Sequence, residues 1–467
     1  SEMCIRDRFG LMIISQTVFG MEKIKIKNDN GSSFMYEDKG DLFSEPQILT
    51  QGKRWNIVEK DSKIFAELEV GKEKEKEFIE LPLTDIEGKK YIDFSFFAYQ
   101  AGLDYVYNPK KKEIVIEKSK EQRERPDRKV VYMWDPDLSY REGQPYFTEK
   151  TGDKIISPAW GSYKEIDKSK IPLSYMKEAR RDNMAIEPLL HNDFDVNETK
   201  KLMRNKKEIR RISNKMTALA VVYGFNGWNL DFENMDNADK DLYSDFVREI
   251  ADSLHQENKK ISVDITVYNE KSPYWSLCYD RKALSEFVDY EIIMGYDQTP
   301  GGSLYPGSTS SYDWLDANVE KILTMVPKEK LVLGLPLYTR VWRGRDGMAK
   351  SAVLTLKNTD MFIKRHRVKA KWDEKKKQYT ANWIEQKTLH RVWFEEYRSL
   401  GEKMKLINKY DLKGVAFWRY GFEESDLYGR LEGVTKGKDF FKEEGKDFEE
   451  KLIAKFRNRI RKIKGDS

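Results

Sequence analysis

The stretch FNGWNLDFE, residues 225–233, alternates apolar and polar side chains over its second half. Side chains of a β-strand point to its two faces in turn, which places Asn229, Asp231 and Glu233 on one face and the apolar residues on the other. Burying two carboxyl groups on one face is costly unless they are paired or have a function. The stretch therefore predicts a buried strand with a polar inner face that ends in a functional site. A salt-bridged pair of acids at the strand end is the alternative.

The two acids, Asp231 and Glu233, are close enough in such a strand to influence each other's ionisation. Like charges held close together raise the pKa of one partner. We therefore expect Glu233 to stay protonated near neutral pH and to act as a proton donor. Asp231 is expected to stay ionised and to hold a substrate dipole.

Seven further strand-like runs, separated by helix-like stretches, lie on both sides of this strand. They are KVVYMWD (129–135), DKIISPAW (153–160), NMAIEPLL (183–190), KISVDITVY (260–268), YEIIMGYD (290–297), KLVLGLPLY (330–338) and KGVAFWRYG (413–421). Strands that alternate with helices form parallel sheets, and eight such units in about 300 residues fit a closed barrel. The predicted fold class is α/β, a (β/α)8 TIM barrel whose active site lies at the carboxyl ends of the strands.

The gap between the seventh and eighth strands, residues 343–413, is long and predicts a small α+β insertion. Within it, AKWDEKKKQYTANW (370–383) has the pattern of a hairpin. The stretch HRVWFEEYRSLGEKMKLINKYDL (390–412) is interpreted as the last barrel helices. A small insertion also predicts that one wall of the cleft is low, which suits a branched substrate.

The composition argues against several classes of protein. The net charge of +5 comes from 84 basic and 79 acidic residues, a near balance that does not indicate a nucleic-acid binder. The chain has only two cysteines, so disulfides cannot form its framework. Its four histidines are scattered without the spacing of zinc ligands, and we expect neither a metal nor a cofactor.

The pattern along the chain predicts five segments. Residues 1–23 are set apart as an adapter-like start followed by a signal-like apolar run, and residues 24–118 are predicted to form a small α+β domain. Residues 119–129 are charged, contain a proline and are expected to be a linker. The barrel is predicted for residues 130–435 and a charged helical tail for residues 436–467.

The apolar run FGLMIISQTVFG, residues 9–20, is too short to span a bilayer. It resembles the core of a signal peptide, with an ordinary strand as the alternative. We therefore expect a secreted or cell-wall-associated bacterial protein without a stable membrane span. The segment from Tyr91 to Lys118, which contains AYQAGLDYVYNPKKKEIVIEK, resembles the copper amine oxidase N-terminal-like repeat of bacterial surface proteins. The resemblance implies a wall-associated accessory module, and a spacer without a ligand is the alternative.

Several ordered motifs of the barrel region resemble glycoside hydrolase family 18. NGWNLDFE (226–233) is similar to the family signature DxxDxDxE, and MGYD (294–297) to the sixth-strand motif. LVLGLPLYTRVW (331–342) and GVAFWRYG (414–421) are similar to the seventh and eighth. NDFD (192–195) resembles the subgroup of spore cortex-lytic and other wall-hydrolysing N-acetylglucosaminidases. The resemblance covers residues 130–431.

The resemblance implies substrate-assisted hydrolysis, in which the 2-acetamido oxygen of the sugar attacks its own anomeric carbon. Glu233 would protonate the glycosidic oxygen and later activate water. Asp231 would orient the acetamide group and stabilise the oxazolinium intermediate. Tyr296 would hydrogen-bond the acetamide, and Asp297 would support the same subsite.

Further residues are assigned to the cleft by the same resemblance. Trp418 would stack beneath the sugar ring, and Tyr338 and Arg340 would line the cleft. The signature has aspartate where this chain has Asn226 and Asn229. Asparagine cannot carry the charge, but Asn229 can still hydrogen-bond Asp231 and is counted among the substrate-binding residues. We expect a changed pH optimum rather than a loss of activity.

The mechanism implied by the resemblance restricts the sugar at the cleavage site to N-acetylglucosamine or a close relative, and it leaves peptidoglycan, chitin and an N-glycan core open as the polymer. Peptidoglycan is the first expectation. Chitin or chitooligosaccharides are one alternative, and a barrel that binds carbohydrate without cleaving it is another. The retained acid Glu233 argues against the last. A monomer is expected.

Overall fold

The computed structural model describes the side chains of residues 55–61, 63–83, 91–93, 96, 129–141, 153–167 and 171–423. It also gives the course of the backbone for strands within residues 2–118. The predicted linker, apart from Lys129, and the predicted tail at 436–467 lie outside the described residues.

Eight parallel strand positions form a closed barrel. They are Val130–Asp135, Asp153–Ser162, the split third position Ala185–Ile186 and Leu189–His191, Gly227–Asp231, Lys260–Thr266, Tyr290–Met294, Leu331–Pro336 and Gly414–Trp418. Val130 pairs with Asp153 on one side and with Gly414 on the other, which joins the first strand to the second and to the eighth. All eight predicted strands are confirmed, and so is the TIM barrel.

Helices follow the strands and cover the outside of the barrel. They span Leu173–Arg181, Val196–Met203, Lys206–Tyr223, Lys240–Gln256, Arg281–Ser285, Tyr312–Ile322 and Tyr397–Lys409. Polar side chains begin several of them: Asp195 and Asn205 accept hydrogen bonds from backbone amides of the first turn. Gly224 ends the longest helix in the left-handed conformation, at a φ of 68°.

The alternation of side chains along each strand separates two apolar cores. Trp228, Leu230 and Phe232 are fully buried against the helices, and the Trp228 indole donates to the Met216 carbonyl at 2.9 Å. The barrel interior is filled by a second, smaller cluster. Its buried members are Val130, Tyr132, Trp134, Ile155, Leu189, Tyr290, Ile292, Val332 and Ala416. Asn229 lies on this inner side, as its place in the pattern predicts.

The insertion after the seventh strand is a five-stranded antiparallel sheet with one helix, Thr359–His366. In order across the sheet, its strands are Lys350–Thr355, Tyr338–Arg343, Thr388–Phe394, Gln378–Glu385 and Lys371–Asp373. The predicted α+β insertion and its hairpin at 370–383 are confirmed. The helical interpretation of residues 390–394 is wrong, because this run pairs with Gln378–Glu385 as a strand.

The helix after the insertion starts only at Tyr397. The Glu396 side chain accepts the amides of Arg398 and Ser399, which caps the first turn of this helix. The strand that precedes it is rich in β-branched and aromatic residues, which favour sheets.

A three-stranded antiparallel sheet, Trp55–Lys60, Lys63–Val70 and Glu75–Glu80, packs on the outside of the barrel. It meets the helix Lys206–Tyr223, where the Tyr223 hydroxyl donates to the Glu80 carbonyl at 3.2 Å. Its buried side chains belong to the same apolar cluster as the helix-facing core of the barrel. This small sheet is therefore tied to the barrel wall.

The remaining strands of the amino-terminal region form a seven-stranded antiparallel sheet and a hairpin. The sheet contains Glu2–Cys4, Met12–Val18, Met21–Asn28, Gly31–Asp38, Asp41–Ser44, Lys89–Asp93 and Leu83–Ile86; the hairpin is Leu103–Asn108 with Glu113–Lys118. Strands thus occur within residues 1–23, which the sequence analysis had set apart from the first domain. No helix in the described ranges is long and apolar enough to cross a bilayer.

Candidate active site

The two predicted acids lie at the carboxyl end of the fourth barrel strand. Asp231 is its last residue and is in register with His191 of the third strand. Glu233 follows two residues later, and the Asn192 side chain holds its backbone. Asn192 accepts a hydrogen bond from the Glu233 amide at 3.1 Å and donates one to the Glu233 carbonyl at 2.7 Å. Because Asn192 is fully buried, this clamp fixes where the Glu233 side chain leaves the strand.

A third acid, Asp264, lies on the neighbouring fifth strand. The pairing of Leu230 with Val263 makes Asp231 and Asp264 the next positions in register. Adjacent strands lie ~4.8 Å apart, so the two side chains are neighbours on the inner face. Asp264 is only 2% exposed. We refer to Asp231, Glu233 and Asp264 as the carboxyl cluster.

Burial is the first cause of the raised pKa of each acid in the carboxyl cluster. Burial, followed by the charges of Asp231 and Asp297, raises the pKa of Glu233 to about 9. Burial raises the pKa of Asp231 to about 7. The pKa of Asp264 is raised well above its ordinary value by burial and then by the charge of Asp231. Glu233 therefore keeps its proton to a higher pH than Asp231, and the raised pKa of Asp264 likewise favours its protonated form.

Asn229 lies directly below the carboxyl cluster and is completely buried. Its amide donates to Ser262 at 3.0 Å and to Asp264 at 2.9 Å, and its carbonyl accepts from the Trp134 indole at 3.1 Å. The prediction that Asn229 hydrogen-bonds Asp231 is wrong, because its amide hydrogens point to the fifth strand. Asn229 is fully buried in this structure, and its place among the substrate-binding residues stays a prediction.

The other departure from the signature, Asn226, lies at the opposite end of the strand. Its side chain accepts a hydrogen bond from the Ile186 amide at 3.0 Å. Its backbone carbonyl accepts from the Lys260 amide at 2.9 Å. Asn226 therefore joins the third, fourth and fifth strands, and its amide group serves this purpose without a charge.

Three aromatic side chains form a floor next to the carboxyl cluster. Trp418, at the end of the eighth strand, stacks on Tyr296 with ring centroids 6.4 Å apart. Trp134 meets Trp418 at 5.8 Å and the edge of Tyr296 at 6.5 Å. Gly334 makes room for them, since a Cβ there would lie 3.4 Å from Trp134 and 2.7 Å from the Ile293 carbonyl oxygen. Trp418 and Tyr296 are half-buried and offer a flat apolar surface.

Asp297 is held by two of the residues predicted to line the cleft. The Tyr338 hydroxyl donates to its carboxylate at 2.6 Å, and the Arg340 guanidinium donates to both of its oxygens at 2.9 and 3.0 Å. Asp297 has a φ of 51°, a conformation that is strained for most residues and that these bonds stabilise. Tyr338 is only 4% exposed, so it positions Asp297 rather than forming the cleft surface.

Exposed apolar side chains occur on loops at the same end of the barrel. Phe194, after the third strand, and Trp275, after the fifth, are stacked at 6.3 Å, and each is almost half exposed. The Phe194 carbonyl accepts a hydrogen bond from Asn234, which directly follows Glu233. On the loop after the sixth strand, Leu304 and Tyr305 are more than half exposed. Flat exposed rings of this kind suit sugar faces.

The structure brings most of the predicted site residues to one end of the barrel. Those that share it are Asp231, Glu233, Tyr296, Asp297, Tyr338, Arg340 and Trp418. The sequence predicted no role in the site for Trp134 or Asp264, and it singled out Asn192 only as part of the NDFD motif. The alternation in KISVDITVY would have placed Ser262 and Asp264 on one face, but only the register of the strands shows that this face meets Asp231. Among the residues that the structure describes, no group of three or more His, Cys, Asp or Glu side chains is arranged so that it could hold a metal ion.

This end of the barrel is where barrel enzymes bind their substrates, and protonatable acids beside an aromatic floor are typical of the class of barrel glycoside hydrolases. Residues 175–423, more than half of the chain, match the glycosyl hydrolases family 18, and the chain belongs to this family. It is therefore a glycosidase, and its family implies a substrate that contains N-acetylglucosamine. The match does not include residues 24–118, so the resemblance of that domain to copper amine oxidase repeats stays a prediction.

Relatives of this chain include proteins of Bacillus subtilis. The uncharacterized glycosylase YvbX of Bacillus subtilis is 26% identical over 247 residues, which are 52% of this chain and 71% of YvbX. The cortical fragment-lytic enzyme of Bacillus subtilis is 24% identical over 294 residues, 60% of this chain and 66% of that enzyme. A chitinase from Chromobacterium violaceum has the same fold, with a TM-score of 0.58 at 20% identity over 66% of this chain and 98% of the chitinase.

Proposed function

We propose that this chain hydrolyses β-linked N-acetylglucosamine in bacterial cell-wall glycan by a substrate-assisted, retaining mechanism. The observation that carries the proposal is the placement of two neighbouring acids, Asp231 and Glu233, at the carboxyl end of the fourth strand beside the aromatic floor of Trp418 and Tyr296. Glu233, with a pKa of about 9, keeps a proton at neutral pH, whereas Asp231, with a pKa of about 7, can ionise beside it. A proton donor and an anion side by side are what the reaction needs.

In the first step Glu233 gives its proton to the glycosidic oxygen while the bond between this oxygen and the anomeric carbon breaks. The carbonyl oxygen of the 2-acetamido group attacks the same carbon and closes a positively charged oxazolinium ring. The carboxylate of Asp231 accepts the acetamide N–H and stabilises the positive charge. In the second step the Glu233 carboxylate takes a proton from a water molecule, which attacks the anomeric carbon and reopens the ring.

The remaining residues hold the sugar. The hydroxyl of Tyr296 donates to the acetamide oxygen, and the indole of Trp418 supports the apolar face of the sugar ring. Asp297, oriented by Tyr338 and Arg340, supports the same subsite. Asn229 lies beneath the carboxyl cluster, where its hydrogen bonds hold Trp134 and Asp264 in place, and it does not contact the sugar.

The choice of cell-wall glycan is supported by the similarity to a cortical fragment-lytic enzyme. Chitin is the second candidate, since it carries the same acetamido group and a chitinase shares the fold. A barrel that only binds carbohydrate is disfavoured, because Glu233 is retained and is held in place by Asn192.

The test is incubation of the protein with purified peptidoglycan and, separately, with chitin oligomers, followed by measurement of reducing ends and mass spectrometry of the products. We expect muropeptides that end in N-acetylglucosamine. Cleavage of chitin oligomers alone would support the second candidate. Binding to either polymer without any product would contradict the hydrolase assignment.

Two glutamine variants separate the role of Glu233 from that of a buried acid in general. Glu233→Gln should lower turnover by ~1000-fold while substrate binding remains, because the proton donor is lost. Glu187→Gln is the matched control: Glu187 is completely buried, and burial raises its pKa to about 8. We expect near-normal turnover for this control. Near-normal turnover of Glu233→Gln would refute the assignment of the acid.

A wall substrate lies outside the cytoplasm, and we therefore propose that the protein is exported or wall-associated and acts as a monomer. Its cleft is built from a single barrel, which requires no second subunit. Fractionation of the producing cells and light scattering of the purified chain would test these two points. Recovery from the cytoplasm alone would contradict the first, and a stable dimer would contradict the second.

A further inference from the structure

Asp264 takes a position that the family signature does not explain. In the signature DxxDxDxE an aspartate stands where this chain has Asn229, so one carboxyl next to Asp231 is missing from the fourth strand. The structure has a carboxyl on the fifth strand instead, one position beyond Val263, which pairs with Leu230 next to Asp231. The Asn229 amide donates to the Oδ1 atom of Asp264 at 2.9 Å and so fixes the orientation of this acid.

In the part of the chain that the structure describes, one carboxyl oxygen of Asp231 lacks a hydrogen-bond donor. Its Oδ1 atom is buried and has no hydrogen-bond partner among the described residues. A buried oxygen without a partner is costly, so a donor at this place is strongly favoured. In the described part of the chain, no lysine, arginine or histidine forms an ion pair with any acid of the carboxyl cluster.

We propose that Asp264 is a positioning residue that keeps its proton and donates it in a hydrogen bond to the Asp231 carboxylate, replacing the acid that the signature has at position 229. The proposal rests on the proposed function, because it assigns Asp264 a role in holding Asp231 for the reaction. A neutral acid at 264 supplies the missing donor without adding a second negative charge. An ionised Asp264 would instead place two anions in register on adjacent strands.

The groups around Asp264 are consistent with a proton held there. The titratable side chains that face it are Asp231, Glu233 and three tyrosines from other strands and helices: Tyr132, Tyr243 and Tyr296. All of them are acids or phenols. Burial and the charges of Asp231 and Glu233 all raise the pKa of Asp264. The proton is therefore retained on Asp264 while Asp231 ionises.

The sign of a pKa change distinguishes a neutral Asp264 from an ionised one. We would measure kcat/KM of the whole protein against pH on a chromogenic N-acetylglucosamine oligomer, for the wild type and for Asp264→Val and Asp264→Asn. Valine removes the donor, so the acid limb, which reports ionisation of Asp231, should move up by about 1 pH unit and kcat should fall ~10-fold. If the acid limb of the pH profile stays in place or moves down, the proposal is overturned. A downward move is the result expected for an ionised Asp264, because removing its negative charge would lower the pKa of Asp231.

Asp264→Asn keeps a donor and provides the matched control if the valine variant does not fold. Its amide can still donate to Asp231, so its acid limb should lie within about half a pH unit of the wild type. A downward shift of a full unit in this variant would also overturn the proposal. A structural role alone would lower the amount of folded protein and leave the acid limb unchanged.

An infrared measurement tests the proton without turnover. At about pH 8 the difference spectrum between wild type and Asp264→Asn should show the loss of one protonated carboxyl C=O band, whereas Asp231→Asn should show the loss of an ionised carboxylate. Loss of a carboxylate band in Asp264→Asn would overturn the proposal even if the enzyme cleaves its substrate. If the wild type cleaves no N-acetylglucosamine glycan, the proposed function fails, and the infrared result still decides the protonation of Asp264.

Discussion

Two groups of buried carboxyls in this barrel have opposite surroundings. Glu395, between the insertion and the last helix, is completely buried, and so is its ion-pair partner Lys403. Its carboxylate also accepts hydrogen bonds from Gln378 and Ser399. The carboxyl cluster at the end of the fourth and fifth strands has no cation within salt-bridge distance among the described residues.

The difference shows which surroundings give a buried acid a structural role and which give it a chemical role. A buried carboxylate with a cation and hydrogen bonds is a charged link between two parts of the fold. Acids buried together without a cation keep their protons to higher pH, which makes one of them a proton donor. Burial alone does not separate the two cases, because both groups are buried; the partners do.

The largest effect is expected when Glu395 loses its ion-pair partner Lys403. Lys403→Met leaves the Glu395 carboxylate buried without a positive partner and should lower the free energy of unfolding by ~3 kcal/mol. Urea denaturation monitored by circular dichroism measures this. Lys405→Met, on the same helix but in a partly exposed pair with Glu402, is the control and should change stability by less than ~1 kcal/mol. Equal effects of the two variants would show that Glu395 does not depend on its cation.

The next effect is a pH dependence of stability that comes from the carboxyl cluster. The pKa values of Asp231 and Glu233 in the folded chain are raised to about 7 and about 9, so their protonated forms are favoured by folding. Their contribution is complete below about pH 4, where the unfolded chain is also protonated, and is lost as the pH rises through about 7 and 9. We expect a loss of stability between about pH 5 and pH 9.

Urea denaturation at a series of pH values measures this loss. The double variant Asp231→Asn/Glu233→Gln carries neutral side chains at both positions and should have a flatter dependence on pH. The same slope in the wild type and the double variant would contradict the raised pKa values of these two acids.

A smaller effect is expected from releasing the backbone of Glu233. Asn192→Ala removes both hydrogen bonds of the clamp and lets the acid move, which should lower kcat by ~10-fold with little change in KM. Steady-state kinetics on a chromogenic N-acetylglucosamine oligomer measures both constants. Asn192→Asp is the comparison: it keeps the acceptor for the Glu233 amide but loses the donor, and it should fall between alanine and the wild type. An alanine variant with unchanged kcat would show that the clamp is not needed.

The smallest effect is expected for the exposed aromatic side chains on the loops around the site, and not for the acids. Trp275→Ala removes an exposed ring that stacks on Phe194, and it should raise KM by a few-fold, about 1 kcal/mol or less, without changing kcat. Titration with insoluble glycan and kinetics on long and short oligomers measure this. Ile384→Ala, an exposed apolar residue on the insertion, is the control and should leave both constants unchanged. A change in kcat would mean that Trp275 acts on the chemical step.

Prediction from sequence succeeded where one repeating pattern decides the structure. The alternation in FNGWNLDFE correctly places Trp228 against the helices and Asn229 inside the barrel. It failed where two patterns compete: residues 390–394 were predicted to be helical because a helix follows directly, although β-branched and aromatic residues make this run a strand. It also failed for Asn229, because hydrogen-bond partners on other strands are not visible along the chain.

The sequence by itself determined the barrel, the position of the two acids on its inner face, and the family, because alternation and ordered motifs are properties of the chain. Only the tertiary structure decided which acids lie close to one another. Asp264 is 33 residues beyond Asp231 and enters the cluster through the register of two parallel strands. The pKa of each acid depends on burial and on neighbours that come from other strands, and these are set when the barrel closes.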